Sequence, residues 1–311
     1  MGNLGQTKFL AATSISTSVI TMIIWSFGFL RMGTVGIVSQ LYGKSDYREI
    51  VRTIIRNLLL AFTISIIIIL FRYYILDLIN FFFITSDETK ILIKTYISVR
   101  VFSIPAELII YILVGFYLGI QKTKISSLLI IIFSILNIVF SSYFVMSLNL
   151  NVFGVALGTL ASSYITIFIY LLFTYKFIID KFQIVPKYHR IFVLPKLLKL
   201  LTINFDIFIR TLILTFSFVW VTYLGSKLGE DILAINTILM QFVILAAFFL
   251  DAYAFSTEGL VGFTIGRKNK KSFLMIVRNS IQLSFFTALI ISLIFLIFFK
   301  FFFNFITDLE I

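Results

Sequence analysis

Apolar residues occupy this chain in runs too long for an ordinary soluble helix, broken by short polar connections at nearly regular intervals. A helix rising 1.5 Å per residue needs about 20 apolar residues to cross a hydrocarbon core of about 30 Å. Eight segments meet that length, at 9–40, 53–79, 95–119, 125–147, 153–176, 197–224, 232–264 and 274–304. The first and the seventh exceed it, which leaves each free to tilt, bend or project beyond the bilayer. The connections are short and hold no soluble domain. The pattern predicts an all-α integral membrane protein with eight transmembrane helices.

Charge orients those helices. Basic residues gather in every second connection: Lys44, Arg48, Arg52 and Arg56; then Lys122 and Lys124. The next are Lys176, Lys181, Lys187, Arg190, Lys196 and Lys199, and finally Arg267, Lys268, Lys270, Lys271 and Arg278. The connections between them hold Asp87, Glu88 and Lys90, then the uncharged 149–151, then Lys227, Glu230 and Asp231. Short loops rich in Lys and Arg stay in the cytoplasm, so both chain ends are expected on the opposite side.

Composition agrees: 60% of the 311 residues are apolar and 13% charged, with a mean hydropathy of +1.08. A water-facing surface cannot be covered with so little polar material. The net charge of +12 is accounted for by cytoplasmic loops, so no nucleic-acid partner is expected. Cysteine is absent and the one histidine, His189, lies in a charged loop. Thiolate metal sites, disulfides and zinc–histidine chemistry therefore lack their ligands, and no metal or cofactor is expected. No signal peptide precedes the first apolar run.

The chain repeats itself. A shift of 223 residues places Phe9-Leu10-Ala11 on Ile232-Leu233-Ala234 and Thr34 on Thr257. Gly36 then falls on Gly259, Gly43 on Gly266, Lys44 on Arg267 and Arg48 on Lys271. The first span corresponds to the seventh, a period of six helices, and both copies run the same way through the membrane. Such parallel repeats are related by an axis along the bilayer normal. Two full copies would have twelve helices, so this chain is expected to lack one at the front and about three at the back.

The segment Phe29-Leu30-Arg31-Met32-Gly33-Thr34-Val35-Gly36, with Gln40 and Tyr42-Gly43, resembles the multidrug and toxic compound extrusion (MATE) family, most of all its DinF branch. Pro105-Ala106, Gly115, Gly119 and Gln121 resemble its fourth helix and following loop; Asn137-Ile138 and Gly154-Val155-Ala156 resemble the junction of its fifth and sixth. Asn204 to Arg210-Thr211, Leu233-Ala234 to Gln241, Phe249-Leu250-Asp251 and Glu258 to Gly262 resemble its seventh and eighth.

The resemblance implies two six-helix lobes around a cavity that opens alternately to each side. On that plan residues 1–178 form the first lobe without its first helix, 179–196 a basic cytoplasmic linker, and 197–311 the first three helices of the second lobe. It also implies a functional aspartate on the missing helix. Where members carry acids in the fifth and sixth helices, this chain has Ser141 and Ser163, which weakens any cation site in the first lobe.

Ionisable groups inside a span are costly and mark functional sites. Asp206 lies about 15 Å along its helix from Lys196, and Arg210 follows on the same face, where it can pair with it. Asp251 and Glu258, seven apart, share a face of the seventh span, and no basic residue lies a turn away. Asn236, Gln241 and Asn137 complete the candidate set. These residues point to a carboxylate that holds either a proton or sodium ion, or a cationic substrate, one at a time. Arg31 is read as a snorkelling or hydrogen-bonding helix residue, Arg100–Glu107 as a structural pair, Pro105 as a kink, and the repeated glycines as close-approach points.

The resulting expectation is a cation-coupled antiporter of the cell membrane, exporting small amphiphilic or cationic compounds, monomeric when complete and not an enzyme. The alternatives are a lipid-linked saccharide flippase of the same superfamily, which calls for a basic cavity, and an inactive truncated fragment. A membrane-embedded transferase would need a nucleophile with partners or an interfacial acidic cluster, and neither is visible.

Overall fold

The computed structural model describes residues 7–82, 86–184, 194–227 and 230–306. Among these every regular element is helical: α1 (Thr7–Ser26), α2 (Phe29–Gly43), α3 (Tyr47–Leu70), α4 (Arg72–Phe82), α5 (Asp87–Arg100), α6 (Ile104–Gly119), α7 (Thr123–Ser142), α8 (Asn151–Phe177), α9 (Leu194–Lys227), α10 (Glu230–Gly266) and α11 (Lys270–Ile306). Seven helical stretches among the described residues are long and apolar enough to cross a membrane. Where a further span was expected, α9 is helical throughout, although several of its side chains lie outside the described residues.

Three spans differ in detail from their expected form. The first, expected as 9–40, breaks between α1 and α2. The Phe27 and Gly28 amides bond three residues back, to Ile24 and Trp25, while the Ser26 hydroxyl donates to the Met22 carbonyl at 2.9 Å. A Ser/Gly pair in a tightened turn is a regular cause of a sharp kink. The second, expected as 53–79, ends at Leu70, and α4 continues as a separate helix whose Leu76 and Ile79 are buried. The third bends through a 3₁₀ turn, Val101–Ser103, with Pro105 in the first turn of α6, as its proline foretold.

The core of the first eight helices is centred on α6. Ile104, Leu108, Ile112, Phe116 and Tyr117 are fully buried there, against Leu30 and Val38 of α2 and Ile50 of α3. With lipid outside, apolar burial adds little drive, so close backbone approach and polar pairs hold such bundles. Asn57 donates to Thr34 at 2.8 Å, and the Tyr117 and Thr174 hydroxyls lie 2.8 Å apart. Arg100 and Glu107 form the expected pair, two-pronged, with one bond of 3.1 Å. A second buried pair joins Arg56 to Glu49 at 2.7 Å.

The two repeat copies meet where α2 packs on α10, and the contacts are reciprocal. A methyl group added at Gly43 would overlap the carbonyl oxygen of Phe263; one at Gly266 would overlap that of Gln40. Gly266 is the counterpart of Gly43, and Phe263 that of Gln40, under the same shift of 223. Gly262 faces its own counterpart, Ser39. Higher up, the Gly36 position lies 4.0 Å from Glu258 Oε1 and the Gly259 position 4.0 Å from Val35 Cγ1. Residue i touching j′ while j touches i′ is the signature of a two-fold axis, which here runs between α2 and α10.

The turns that follow match as well. Ser45 and Lys268 take left-handed conformations, φ 58° and 55°. Asp46 N bonds to Leu41 O and Asn269 N to Thr264 O, both at 3.0 Å, as in a Schellman helix end. Asp46 then caps α3 through the Glu49 amide at 3.1 Å, and Asn269 caps α11 through the Ser272 amide at 3.0 Å. The duplication read from the sequence is thus repeated in three dimensions.

Candidate functional site

Just above the glycine contact, α2, α9 and α10 carry charged groups, and α6 a tyrosine, toward one region of the membrane-spanning bundle. Asp251, Phe255 and Glu258 recur at intervals of four and three, so they line one stripe of α10. Because Gly262 lets α10 lie against α2 and Gly259 lets it lie against the Leu118 carbonyl of α6, that stripe meets Arg31. The Arg31 guanidinium sits over the Phe255 ring, 3.9 Å from its centre. It is within electrostatic reach of Tyr111 on α6 and of both Glu258 and Asp251. Arg210, on α9, is within reach of Glu258. Counting from Gly266 at 1.5 Å per residue, Glu258 lies about 12 Å and Asp251 about 22 Å above the cytoplasmic end of α10.

The chemistry follows from placement. Glu258 and Arg31 are half-buried, and Coulomb forces among the two carboxylates and two guanidiniums are stronger there than in open water. Arg31 is oriented by the aromatic face beneath it, and an arginine stays charged under all ordinary conditions. A proton, a sodium ion or an organic cation arriving at Glu258 or Asp251 therefore competes with Arg31 and Arg210 for the same negative charge. Aromatic groups, Phe255 and Tyr111, flank the charges and suit a flat apolar body.

Of the residues expected from sequence, Asp251, Glu258 and Arg210 are brought together here. Asp206 is not: it is exposed, as Arg210 and Asp251 are, but no ion pair joins it to Arg210 among the described residues. Asn137 donates to Thr159 at 2.8 Å and so fastens α7 to α8, away from the site. Gln241 is exposed, farther out on α10 than Asp251, and the Asn236 side chain lies outside the described residues.

Arg31 is the residue that sequence reasoning undervalued. The lack of a basic residue near Asp251 and Glu258 along α10 is made good from α2 and α9, across the fold. The signal was present in the repeat: two corresponding helices packed about their own axis must set Arg31 opposite the 251–258 stripe. Tyr111 carried no comparable signal.

Comparison with known proteins gives the arrangement its relatives. The family model described as MatE matches residues 1–143 and 207–310. The DNA damage-inducible protein F of Escherichia coli (strain K12) is 30% identical over 309 residues, which is 99% of this chain and 67% of that protein. The multidrug export protein MepA of Staphylococcus saprophyticus is 22% identical over 173 residues, 56% of this chain and 38% of that one. A crystal structure of MATE in the bent conformation superposes with a TM-score of 0.86 at 20% identity, covering 94% of this chain and 65% of its own. The chain spans about two thirds of the length of the first of these relatives and of that structure. It belongs to the MatE family of multi-pass membrane transporters, whose members are secondary transporters rather than enzymes.

Proposed function

We propose that this chain carries the ion- and substrate-handling site of a cation-coupled antiporter that exports small amphiphilic or cationic compounds from the cell by alternating access. The observation that supports this reading is the Arg31 guanidinium seated on Phe255 of α10 between the two repeat copies, with Asp251 and Glu258 within its electrostatic reach and Arg210 within reach of Glu258. The site lies above the α2–α10 contact, so parting those helices at Gly43 and Gly266 opens it toward the cytoplasm, and closing them there leaves it facing outward. A carboxylate occupied by a proton or sodium ion cannot also hold the organic cation, and that exclusivity couples the two flows. The export names of relatives such as MepA agree with this reading.

A second reading has its own observation. Arg31 and Arg210 match the two carboxylates in number, which makes the site more basic than the sequence of α10 alone implies. That favours an anionic cargo, such as the phosphate of a lipid-linked saccharide. One experiment separates the two. The chain, completed with the helices its relatives carry outside the matched span, is expressed in cells stripped of their own exporters and loaded with a fluorescent cationic dye. Antiport requires lower dye accumulation, lost in Asp251→Asn with membrane insertion unchanged. Normal pumping by Asp251→Asn at every pH removes that carboxylate from the mechanism. Unchanged dye levels with well-inserted protein transfer the assignment to the flippase reading.

A further inference from the structure

Away from the site between the repeats, a cavity of ≈ 300 Å³ opens on the outer half of the first lobe, between α4 and α5. Its polar end is formed by Arg72, Tyr73, Lys94 and Ser98, and its apolar floor by Leu76 and Phe102. Arg72 follows directly on α3, which starts at a cytoplasmic loop and is 24 residues long, or about 36 Å. Arg72 therefore lies at the outer membrane interface. Lys94, seven residues into α5, reaches about 10 Å inward from Asp87. The polar end is at headgroup depth; Phe102, eight residues beyond Lys94 on the same descending segment, lies about 12 Å deeper, and Leu76 lines the cavity from α4.

The two cations are not neutralised. No ion pair involves Arg72 or Lys94 among the described residues, whereas the neighbouring charges are taken: Lys90 holds Asp87, Lys8 holds Glu88 and Arg100 holds Glu107. Arg72 donates to the Tyr73 hydroxyl at 3.0 Å and lies 5.6 Å from the centre of the Phe102 ring. The hydrogen bond from Arg72, then the charges of Arg72 and Lys94, hold the Tyr73 phenol below its ordinary range. This positive end, with the Tyr73 hydroxyl beside it as a donor, suits a phosphate; the Leu76–Phe102 floor suits hydrocarbon. Arginine on aromatic faces and lysine as a point charge are the usual readers of phosphate, and basic pockets between transmembrane helices hold anionic lipid headgroups.

We propose that this cavity is a binding site for an anionic phospholipid of the outer leaflet, its phosphate held by Arg72 and Lys94 and its acyl chain laid on Leu76 and Phe102. The commitment is to a lipid rather than to free phosphate because only a lipid uses both ends of the cavity.

The purified chain in neutral detergent is titrated with three probes: a short-chain phosphatidylglycerol, the phosphatidylcholine of equal chain length, and inorganic phosphate. Native mass spectrometry reads occupancy, and a melting curve reads folding. Phosphatidylglycerol is expected to bind well above phosphatidylcholine, with inorganic phosphate failing to displace it. Arg72→Gln and Lys94→Gln should each weaken it about fivefold and the double variant about thirtyfold, from the attraction of one cation for an anionic membrane surface. The lipid-free melting curve of Lys94→Gln should not move, because that side chain is exposed; if the double variant fails to fold, this single variant decides. Equal affinity for the two lipids, unchanged affinity in Lys94→Gln, or full displacement by inorganic phosphate would each overturn the proposal.

Discussion

Adding one carbon at Gly266 tests how the two copies meet. In Gly266→Ala the new methyl overlaps the Gln40 carbonyl oxygen and comes within 3.0 Å of the Gly43 Cα and the Gln40 carbonyl carbon. All of these are backbone atoms that cannot rotate aside. Restoring ordinary contact with that oxygen, 3.4 to 4 Å, needs α10 to move off α2 by about 1.3 to 1.9 Å at its cytoplasmic end. Overpacking of this kind costs about 1–3 kcal/mol. Charged against the closed arrangement alone, that shifts the balance toward separated helices by about 5- to 150-fold.

The chain has no cysteine, so one introduced at Val35, buried between α2 and α10, reports on this interface. Its maleimide labelling in inside-out vesicles should rise in proportion when Gly266→Ala is added. Gly36→Ala supplies the contrast: its methyl has one neighbour, at 4.0 Å, and labelling should change by less than about twofold. Equal rates in the two backgrounds would refute the argument that these backbones are in contact at Gly266.

Other outcomes follow from the same structure. Arg31→Gln should depress dye export as strongly as Glu258→Gln, and the double variant should recover part of the loss if the arginine acts by balancing that carboxylate; additive losses would contradict it. Arg100→Ala leaves Glu107 buried without its partner and should lower stability by about 3–5 kcal/mol, while replacing both by apolar residues should cost far less; matched melting curves check this. Asp46→Ala and Asn269→Ala remove equivalent helix caps, so each should cost about 0.5–2 kcal/mol, with similar losses from the two. Asn137→Ala should cost about 0.6–1.7 kcal/mol of stability and leave substrate range unaltered, measured by melting and by a dye panel.

Much of the fold was legible because a bilayer imposes one dominant requirement, apolar length, and hydropathy reports it directly. The 223-residue shift was legible for the same reason that it persists in space: Gly43, Gly259 and Gly266 are each needed where two backbones touch. Breaks were less visible. Hydropathy is blind to where a helix axis turns, so the kink at Ser26–Gly28 and the separate helix α4 passed as continuous span, whereas Pro105 announced itself by its missing amide.

At the site, Asp251 and Glu258 were visible as isolated charges in apolar sequence. Their counter-charges were not, since Arg31 and Arg210 lie 220 and 41 positions before the 251–258 stripe, and only packing brings them near it. Asp206–Arg210 failed for the converse reason. Four residues' spacing permits a pair on one helix face but does not compel it, and no ion pair joins the two among the described residues.

The account stands on two like-oriented halves docked about one axis, and impermeant thiol labelling of Lys44→Cys and Lys268→Cys tests that most directly. Both should react from the cytoplasmic face of inside-out vesicles and neither from intact cells. Reaction of the two from opposite faces would contradict the shared orientation and the reciprocal contact of α2 with α10.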